Sequence, residues 1–479
     1  MILDNLINSL KTGNEKDRLY AIEELFEMPD EKAIPTLVGA LVDMNGEIRA
    51  SAEKLLLIIN EEWEQTEGTK EAIPYLVTKL SSSADEVWKT ASRWLAQLHP
   101  VALPALIETI SQPPNDEVQW KAIQVIRQIK EGAESAVPTL IDALDNSNVT
   151  IKESVIRTLT ETGSQNLKIL GALSPLLEDG ASTVRQAAAK AFGPFGSKAE
   201  EYSRLLVKRL LDKDSSVRNA AAESLTAIGQ PAVKELLELI HQRADLRTIE
   251  IERLQRTKGD LFKGVDMETF SREPYKALQN VNWHLNDILE DLKRIDTGIL
   301  HAIRILSTPD ANDPKSIEPL VLALKDPNLA IRETALTSIG ALGETAEETL
   351  PILLQLFKGE EITDYERIVT ALNNIAPDWA EQKEAKPFQE HLIACLGEGQ
   401  EEKLRAILAL KKMDQAVVQT LIEGLENKDR IIREEVILLL GVLGEHAKAA
   451  IPILAKIAET DDNLLVRGAA GEVVKRIGF

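Results

Sequence analysis

The stretch DKDSSVRNAAAESLTAIG, residues 212–229, places three consecutive alanines between an arginine and a terminal glycine. Val217, Ala221 and Leu225 recur every four residues, so they form one apolar stripe of a helix. The small side chains on this stripe let a neighbouring helix approach closely. The final glycine suits the left-handed residue that often ends a helix. The stretch therefore predicts a short helix packed tightly against others.

Nearly the same phrase returns along the chain with a fixed period. Gln119, Lys152, Arg185 and Arg218 are each 33 residues apart. A second phrase, of the form A-[IVL]-P followed by leucines, precedes it and begins at Ala33, Ala72, Ala102, Ala136 and Ala450, with looser copies at Ser316 and Ala416. A constant period in this range is typical of a solenoid of stacked repeats.

Each repeat is predicted to be a pair of helices. The proline lies in the first turn of the first helix, where a missing N–H costs nothing. An Asp, Asn or Ser turn caps the second helix, which has the form [VI]-R-x-x-A-x-x-x-L and ends near a glycine. The arginine recurs on this helix, and we expect it to bond acidic residues of neighbouring turns; the alternative is a row of ligand-binding arginines. These positions are Arg49, Arg185, Arg218, Arg332, Arg433 and Arg467.

The pattern DxDxxVRxxAAxxLxxIG resembles HEAT repeats, and in particular the bacterial kind found in phycobilisome lyase subunits. The resemblance implies an all-α fold, a right-handed α-solenoid of about thirteen two-helix repeats with one helical insertion. It also implies a binding role, because such repeats occur in scaffolds, adaptors, bilin lyases and some DNA glycosylases.

Composition limits the classes of function. The chain has 479 residues and a net charge of −22, and only 4% of its residues are aromatic. An acidic protein repels phosphates, so nucleic-acid binding is not expected. The single cysteine, Cys395, excludes a disulfide framework and a CxxC metal pair. No signal peptide or membrane-spanning stretch is apparent, so we expect a cytoplasmic protein.

The repeat pattern divides the chain into three parts. Residues 1–240 and 296–479 carry the repeats, and residues 241–295 form an insertion whose charges cancel. Both ends of the insertion are predicted to be helical, and residues 263–276 to be a loop. The insertion either binds a partner or braces the solenoid.

Motifs for catalysis are weak. None of the six histidines forms an HxxxH or HExxH pair or is expected near a cysteine, so neither a metal nor a cofactor is predicted. The chain also lacks GxGxxG, GxxxxGK[ST] and GxSxG patterns. An enzyme is therefore not expected.

The strongest candidate surface lies on the second helices of the early repeats. Residues two, six and nine positions after the opening Val or Ile should point away from the core, and in HEAT-like repeats these helices line the concave side. Tryptophan and arginine are enriched at protein-binding hot spots. The predicted partner-binding residues are Lys54, Trp88, Arg93, Trp120, Arg127, Arg157 and Lys190.

This surface predicts a protein partner, either an acidic peptide or an extended or helical segment. Nucleic acid is a more specific alternative partner, since aromatic and basic side chains can hold exposed bases. In a third interpretation Trp88 and Trp94 only fill gaps between repeats. The sequence thus predicts a non-enzymatic scaffold or adaptor that wraps a partner; a bilin lyase or chaperone-like subunit and a HEAT-like DNA-binding or glycosylase protein are the alternatives. End-to-end oligomers remain an open alternative.

Overall fold

The computed structural model describes residues 2–163, 166–258, 286–311, 313–356 and 364–478. Within these ranges every regular element is helical and no strand is present. The chain divides into two compact units, Met1–Arg209 with Asp214–Ala227, and Leu210–Lys213 with Ile228–Phe479. The predicted division at residues 240 and 295 stays a prediction.

The first unit contains seven helix pairs among its described residues. Its first helices are α1 (Ile2–Thr12), α3 (Ile34–Ala40), α5 (Glu67–Thr78), α7 (His99–Ser111), α9 (Val137–Asp142), α11 (Lys168–Leu173) and α13 (Ser203–Arg209). Its second helices are α2 (Glu15–Glu27), α4 (Gly46–Ile59), α6 (Asp85–Gln97), α8 (Asp116–Ile129), α10 (Val149–Thr162), α12 (Ser182–Ala191) and α14 (Ser215–Ile228).

The described residues of the second unit form six further pairs and one extra helix, α16 (Arg243–Lys258). Its first helices are α15 (Val233–His241), α18 (Ile317–Ala323), α20 (Leu350–Leu353), α22 (Lys386–Cys395), α24 (Val418–Gly424) and α26 (Ile451–Thr460). Its second helices are α17 (Asn286–Leu306), α19 (Leu329–Ala341), α21 (Tyr365–Ile375), α23 (Gln400–Met413), α25 (Arg430–Leu443) and α27 (Leu464–Ile477). The described residues thus form thirteen pairs, as the repeat count predicted.

Helices stack on their counterparts in the next repeat. In the first unit α8 packs on α6 and α10, and in the second unit α19 packs on α17 and α21. The stripe that opened the sequence analysis is fully buried, with Val217, Ala221 and Leu225 inaccessible to solvent. Side chains on these stripes form the core that each repeat shares with its neighbours.

The turns follow the predicted chemistry, with one difference. Asn45, Asn148 and Asn328 each cap a second helix through the side-chain oxygen. Pro35 lies in the first turn of α3, as expected. Pro74 and Pro104, however, lie inside α5 and α7, because these helices begin earlier than predicted, at Glu67 and His99.

The described ends of the insertion are helical, as predicted. Helix α16 packs against α17, and α17 continues without a break from the insertion into the second helix of its repeat. The predicted loop at residues 263–276 lies outside the described residues.

One segment, Arg430–Thr460, is long and apolar enough to cross a membrane by length and composition alone, and its most apolar window of 18 residues has a mean hydropathy of 1.6. In the structure Gly444 has a φ of +56° and ends α25, so the segment is two helices joined by a turn. Neither approaches the roughly 20 residues that a bilayer core requires. Both helices pack against α27 as part of the last two repeats.

Candidate partner-binding surface

One position on every second helix organises the turns between helices, and we call it the ladder position. It lies three residues before the small or branched residue at the centre of the buried stripe, as Arg332 lies before Ala335. Nine of the thirteen ladder residues are basic. In chain order they are Arg18, Arg49, Trp88, Gln119, Lys152, Arg185, Arg218, Ile299, Arg332, Tyr365, Lys403, Arg433 and Arg467.

The ladder arginines hold their own turns. In four repeats one guanidinium nitrogen donates to the backbone carbonyls six and five residues earlier. For Arg332 these are Asp326 O at 2.8 Å and Pro327 O at 2.9 Å. Arg49, Arg185 and Arg433 repeat this geometry. Charge-assisted bonds to carbonyls that end a helix satisfy acceptors that would otherwise lack a partner.

Several ladder residues also reach the turn of the next repeat. Arg18 binds both oxygens of Asp43, at 2.8 and 3.1 Å, and Lys152 lies 2.7 Å from Asp179. Arg433 binds both oxygens of Asp461, at 2.9 and 3.0 Å. Hydrogen bonding to that carboxylate raises the pKa of Arg433 above its usual value. These bonds link successive repeats, which favours the predicted structural role over a row of ligand-binding arginines.

Trp88 occupies a ladder position but cannot donate as an arginine does, and a lysine from the following repeat takes over that role. Lys121, which is buried, lies with its ammonium 4.9 Å from the centre of the Trp88 ring and 3.3 Å from Ser82 O. Ser82 is six residues before Trp88, so this carbonyl is the one that a ladder arginine would bind. Trp88 also packs edge-on against Trp120, with ring centres 6.3 Å apart.

Replacing Lys121 by alanine is expected to lower the free energy of unfolding by about 1–2 kcal/mol, because the Ser82 carbonyl loses its donor and the Trp88 ring loses the nearer of its two cations. Restoring the ladder with Trp88→Arg in the Lys121→Ala background should recover at least half of that loss. Urea unfolding followed by circular dichroism measures both changes. Lys70→Ala, which removes an exposed ion pair with Glu67, is the control and should change stability by less than about 0.5 kcal/mol. A double variant no more stable than Lys121→Ala would contradict the assignment.

Ile299 is a second ladder residue without a charge, and in this repeat a residue of the insertion supplies the cation. Arg247 of α16 lies between two buried carboxylates, 2.6 Å from Asp296 and 3.0 Å from Asp326. Burial alone would lower the pKa of Arg247, but the two carboxylates keep it raised. Arg243 adds a bond to Asp326 at 3.0 Å. The described part of the insertion therefore braces the second unit.

The predicted cations remain open to solvent. Lys54, Arg93, Arg157 and Lys190 are exposed and Arg127 is half-buried. Within the described ranges none of the five forms an ion pair or a side-chain hydrogen bond. Lys54, Arg93, Arg157 and Lys190 each lie five residues after a ladder position, so they share one register on α4, α6, α10 and α12.

The two tryptophans of the predicted site are half-buried and touch each other, so they belong partly to the core. Trp94, which was expected to fill a gap between repeats, is buried and packs edge-on against Trp63 at 6.0 Å. The packing interpretation therefore fits Trp94. Trp88 and Trp120 keep an accessible edge beside the cations.

A groove crosses the second helices α10, α12 and α14. Its volume is about 690 Å³, and it is lined by Arg157 and Lys190 together with three carboxylates, Glu153, Glu161 and Glu223. Apolar side chains such as Ile156 and Pro194 form part of its wall. The groove thus offers both signs of charge and some apolar surface.

One expectation about histidine is wrong. Cys395 Sγ lies 3.5 Å from His391 Nε2, one turn away on α22, and Tyr365 Oη lies 3.1 Å from the same nitrogen. Tyr365 donates to Glu402 at 2.8 Å from its ladder position. Burial raises the pKa of the Cys395 thiol and lowers the pKa of His391, so both are held neutral. The cluster is a half-buried polar network at a ladder position that lacks a cation.

Stacked helix pairs, most of them with a basic residue at the ladder position, define an α-solenoid protein. The HEAT repeats family profile matches residues 103–174, 170–254, 298–373 and 390–475, which together exceed half of the chain. The chain therefore belongs to the HEAT-repeat family. The match does not indicate the phycobilisome-lyase subtype, which stays a prediction. No curated protein matches the chain in sequence.

Solved structures show the same kind of fold. Kap121p superposes with a TM-score of 0.50 at 14% sequence identity, covering 100% of this chain and 52% of Kap121p. Importin beta superposes with a TM-score of 0.45 at 12% identity, covering 99% of this chain and 72% of importin beta. The chain thus spans about half the length of Kap121p, and the likeness concerns the fold alone.

Proposed function

We propose that the protein is a non-enzymatic scaffold or adaptor that binds a protein partner along the second helices of its first unit. The observation that carries this proposal is the row of cations without ion pairs among the described residues, from Lys54 to Lys190. The chain has a net charge of −22, so many carboxylates are available to pair with exposed cations. The cations of this row nevertheless form no ion pair within the described residues.

The chemistry of the row defines the partner. Exposed arginine and lysine side chains favour acidic segments, and they steer encounter more than they add affinity. The half-buried Trp88 and Trp120 supply apolar contact area at low entropic cost. The carboxylates at the α10–α14 groove favour polar or basic partner residues there. The partner is therefore an extended or helical segment whose acidic part lies over α4, α6 and α8, and the scaffold would act in the cytoplasm.

A preformed surface suits this role. Residues on the row are held by helices whose turns are fixed by the ladder bonds, so little ordering is needed when the partner binds. Preorganisation of this kind lowers the entropic cost of association. The repeat family to which the chain belongs is defined by structure rather than by a reaction, which agrees with a binding role.

The experiment is an affinity pull-down from the native lysate, read by mass spectrometry, with wild type and Arg93→Glu/Arg157→Glu as baits. A protein recovered by wild type should fall at least about tenfold with the double variant, because two attractive charges become repulsive. Neither side chain bonds to another residue in the described structure, so the variant should unfold at the wild-type temperature.

Lys32→Glu/Lys168→Glu is the matched control, because both lysines are exposed and both lie at the start of first helices. The control should recover the same partner as wild type. Equal recovery by all three baits would overturn the assignment of the site. Recovery of a pigment or of salt-sensitive DNA in place of a protein would overturn the scaffold and favour the bilin or nucleic-acid alternative.

A further inference from the structure

A second surface lies on α23 and α25, within the second unit. Leu404 and Leu408 on α23 are 56% and 39% exposed, and Leu438 and Val442 on α25 are 47% and 48% exposed. The two helices are neighbours, since Lys403 of α23 forms an ion pair with Glu435 of α25. We call these four residues the leucine face.

Two residues of the leucine face occupy a register that is polar in each of the other second helices. Leu408 and Leu438 lie five residues after the ladder positions Lys403 and Arg433. The same register carries Arg93, Arg157 and Lys190 in the first unit. Since the core stripe of each helix is already complete, with Ala406, Leu410, Val436 and Leu440 buried, packing within the repeat does not require these leucines. Clustered exposed apolar residues on a charged protein indicate a binding surface.

The border of the leucine face is basic along one edge. Lys411 lies in the last turn of α23, and Lys475 and Arg476 lie in the last turn of α27, which packs against α25. These three cations are exposed and hold no ion pair in the described part of the chain. On the opposite edge the carboxylates Glu401 and Glu402 pair with Arg405, and Glu435 pairs with Lys403. Two carboxylates without an ion pair among the described residues, Glu434 on α25 and Glu472 on α27, also border the leucines. The three cations therefore leave a small positive excess on this edge.

We propose that the leucine face binds an amphipathic helix of a partner protein, one with an apolar stripe and with acidic residues along one edge. Helices that dock into grooves present such a stripe at spacings of three and four residues. The acidic edge would meet Lys411, Lys475 and Arg476, which fixes the direction of the docked helix. This surface is separate from the cation row of the first unit, and its existence does not depend on that row.

Fluorescence anisotropy with labelled peptides on the full chain tests the proposal. The probe is a designed peptide of about 18 residues, or about five helical turns, with leucines at helical spacing and glutamates beside them. A second peptide carries lysines in place of the glutamates, and a third carries serines in place of the leucines. Wild type should bind the first peptide at least about tenfold more tightly than either of the others.

Two variants locate the binding. Leu408→Ser/Leu438→Ser and Lys411→Glu/Lys475→Glu should each weaken binding of the first peptide at least about tenfold. The matched controls are Leu322→Ser/Ile453→Ser and Lys315→Glu/Lys456→Glu, which change exposed residues on or just before first helices and should bind as wild type does. Because the cation row could also attract glutamates, the titration is repeated with Arg93→Glu/Arg157→Glu, and its affinity should equal that of wild type.

Four results would overturn the proposal. The first is unchanged binding in the leucine variant, and the second is equal binding of the lysine peptide. The third is self-association, measured by sedimentation velocity, that disappears in Leu408→Ser/Leu438→Ser, because the leucine face would then bind a second copy of this chain. A loss of peptide binding only in Arg93→Glu/Arg157→Glu would also overturn it while leaving the proposed function intact.

Discussion

Replacing Arg247 by alanine is expected to lower the free energy of unfolding of the second unit by about 3–5 kcal/mol, the cost of leaving a buried charge without its partner. The Arg247 side chain is 9% exposed, and the carboxylates that it joins, Asp296 and Asp326, are 7% and 1% exposed. In the variant both carboxylates would remain at a site that is almost inaccessible to solvent. Arg243 still reaches Asp326, and Asp296 keeps the amide of Asn328, at 2.6 Å, but neither carboxylate keeps the guanidinium that joins them.

Urea unfolding followed by circular dichroism measures this loss, and hydrogen exchange of α16 and α17 localises it. Arg247→Lys should lose an intermediate amount, because an ammonium keeps the charge but cannot bind both carboxylates through a planar fork. Arg256→Ala is the control on the same helix: its exposed side chain lies 3.9 Å from Glu252, and its removal should cost less than about 0.5 kcal/mol. If Arg247→Ala unfolds within about 1 kcal/mol of wild type, the brace is not formed.

Gly340→Val is expected to destabilise the second unit by at least about 2 kcal/mol, because α19 and α21 touch at this glycine. A Cβ atom at residue 340 would lie 2.8 Å from the Cα atom of Ala371 and 3.0 Å from its Cβ atom. Neither atom belongs to a flexible side chain, so one helix must move. Gly340→Ala should already be destabilising.

Gly468→Ala is the matched control, because this glycine lies inside α27 and a Cβ atom there would meet nothing within 4 Å. Alanine favours the helix, so the control should gain about 0.5–1 kcal/mol. Thermal and urea unfolding of the three variants measure whether each substitution raises or lowers the free energy of unfolding. A stabilising Gly340→Ala would show that the two helices are further apart than described.

The fold can be predicted from the sequence because most repeats carry the same spacing of apolar residues. Val217, Ala221 and Leu225 predict a buried stripe by spacing alone, and the structure buries all three. On α21 and α23 the ladder position could not be recognised from the sequence, because Tyr365 and Lys403 stand where other repeats have the Val-Arg phrase. The exposed leucines of α23 were missed for the same reason, since a helix without its motif gives no starting point for counting faces.

Less of the candidate site could be predicted. The exposed positions of Arg93, Arg157 and Lys190 follow from helical periodicity, and the structure places them at the surface. Lys121 and Arg247 could not be assigned, because each acts on a turn far from it in sequence. The one available signal is the missing arginine itself: a Trp or Ile at a ladder position implies that a cation arrives from elsewhere. Cys395 and His391 are one helical turn apart, and that spacing could have indicated their contact.

The brace through Arg247 also constrains how this chain can change over generations. Loss of the insertion would remove Arg247 and leave Asp326, which is almost completely buried, without the cation that Ile299 cannot replace. Conversely, an arginine gained at residue 299 while the insertion is present would compete with Arg247 for the same carboxylate. The two sites are therefore epistatic, and a shorter descendant of this protein would have to acquire a basic residue at 299 before it could dispense with α16.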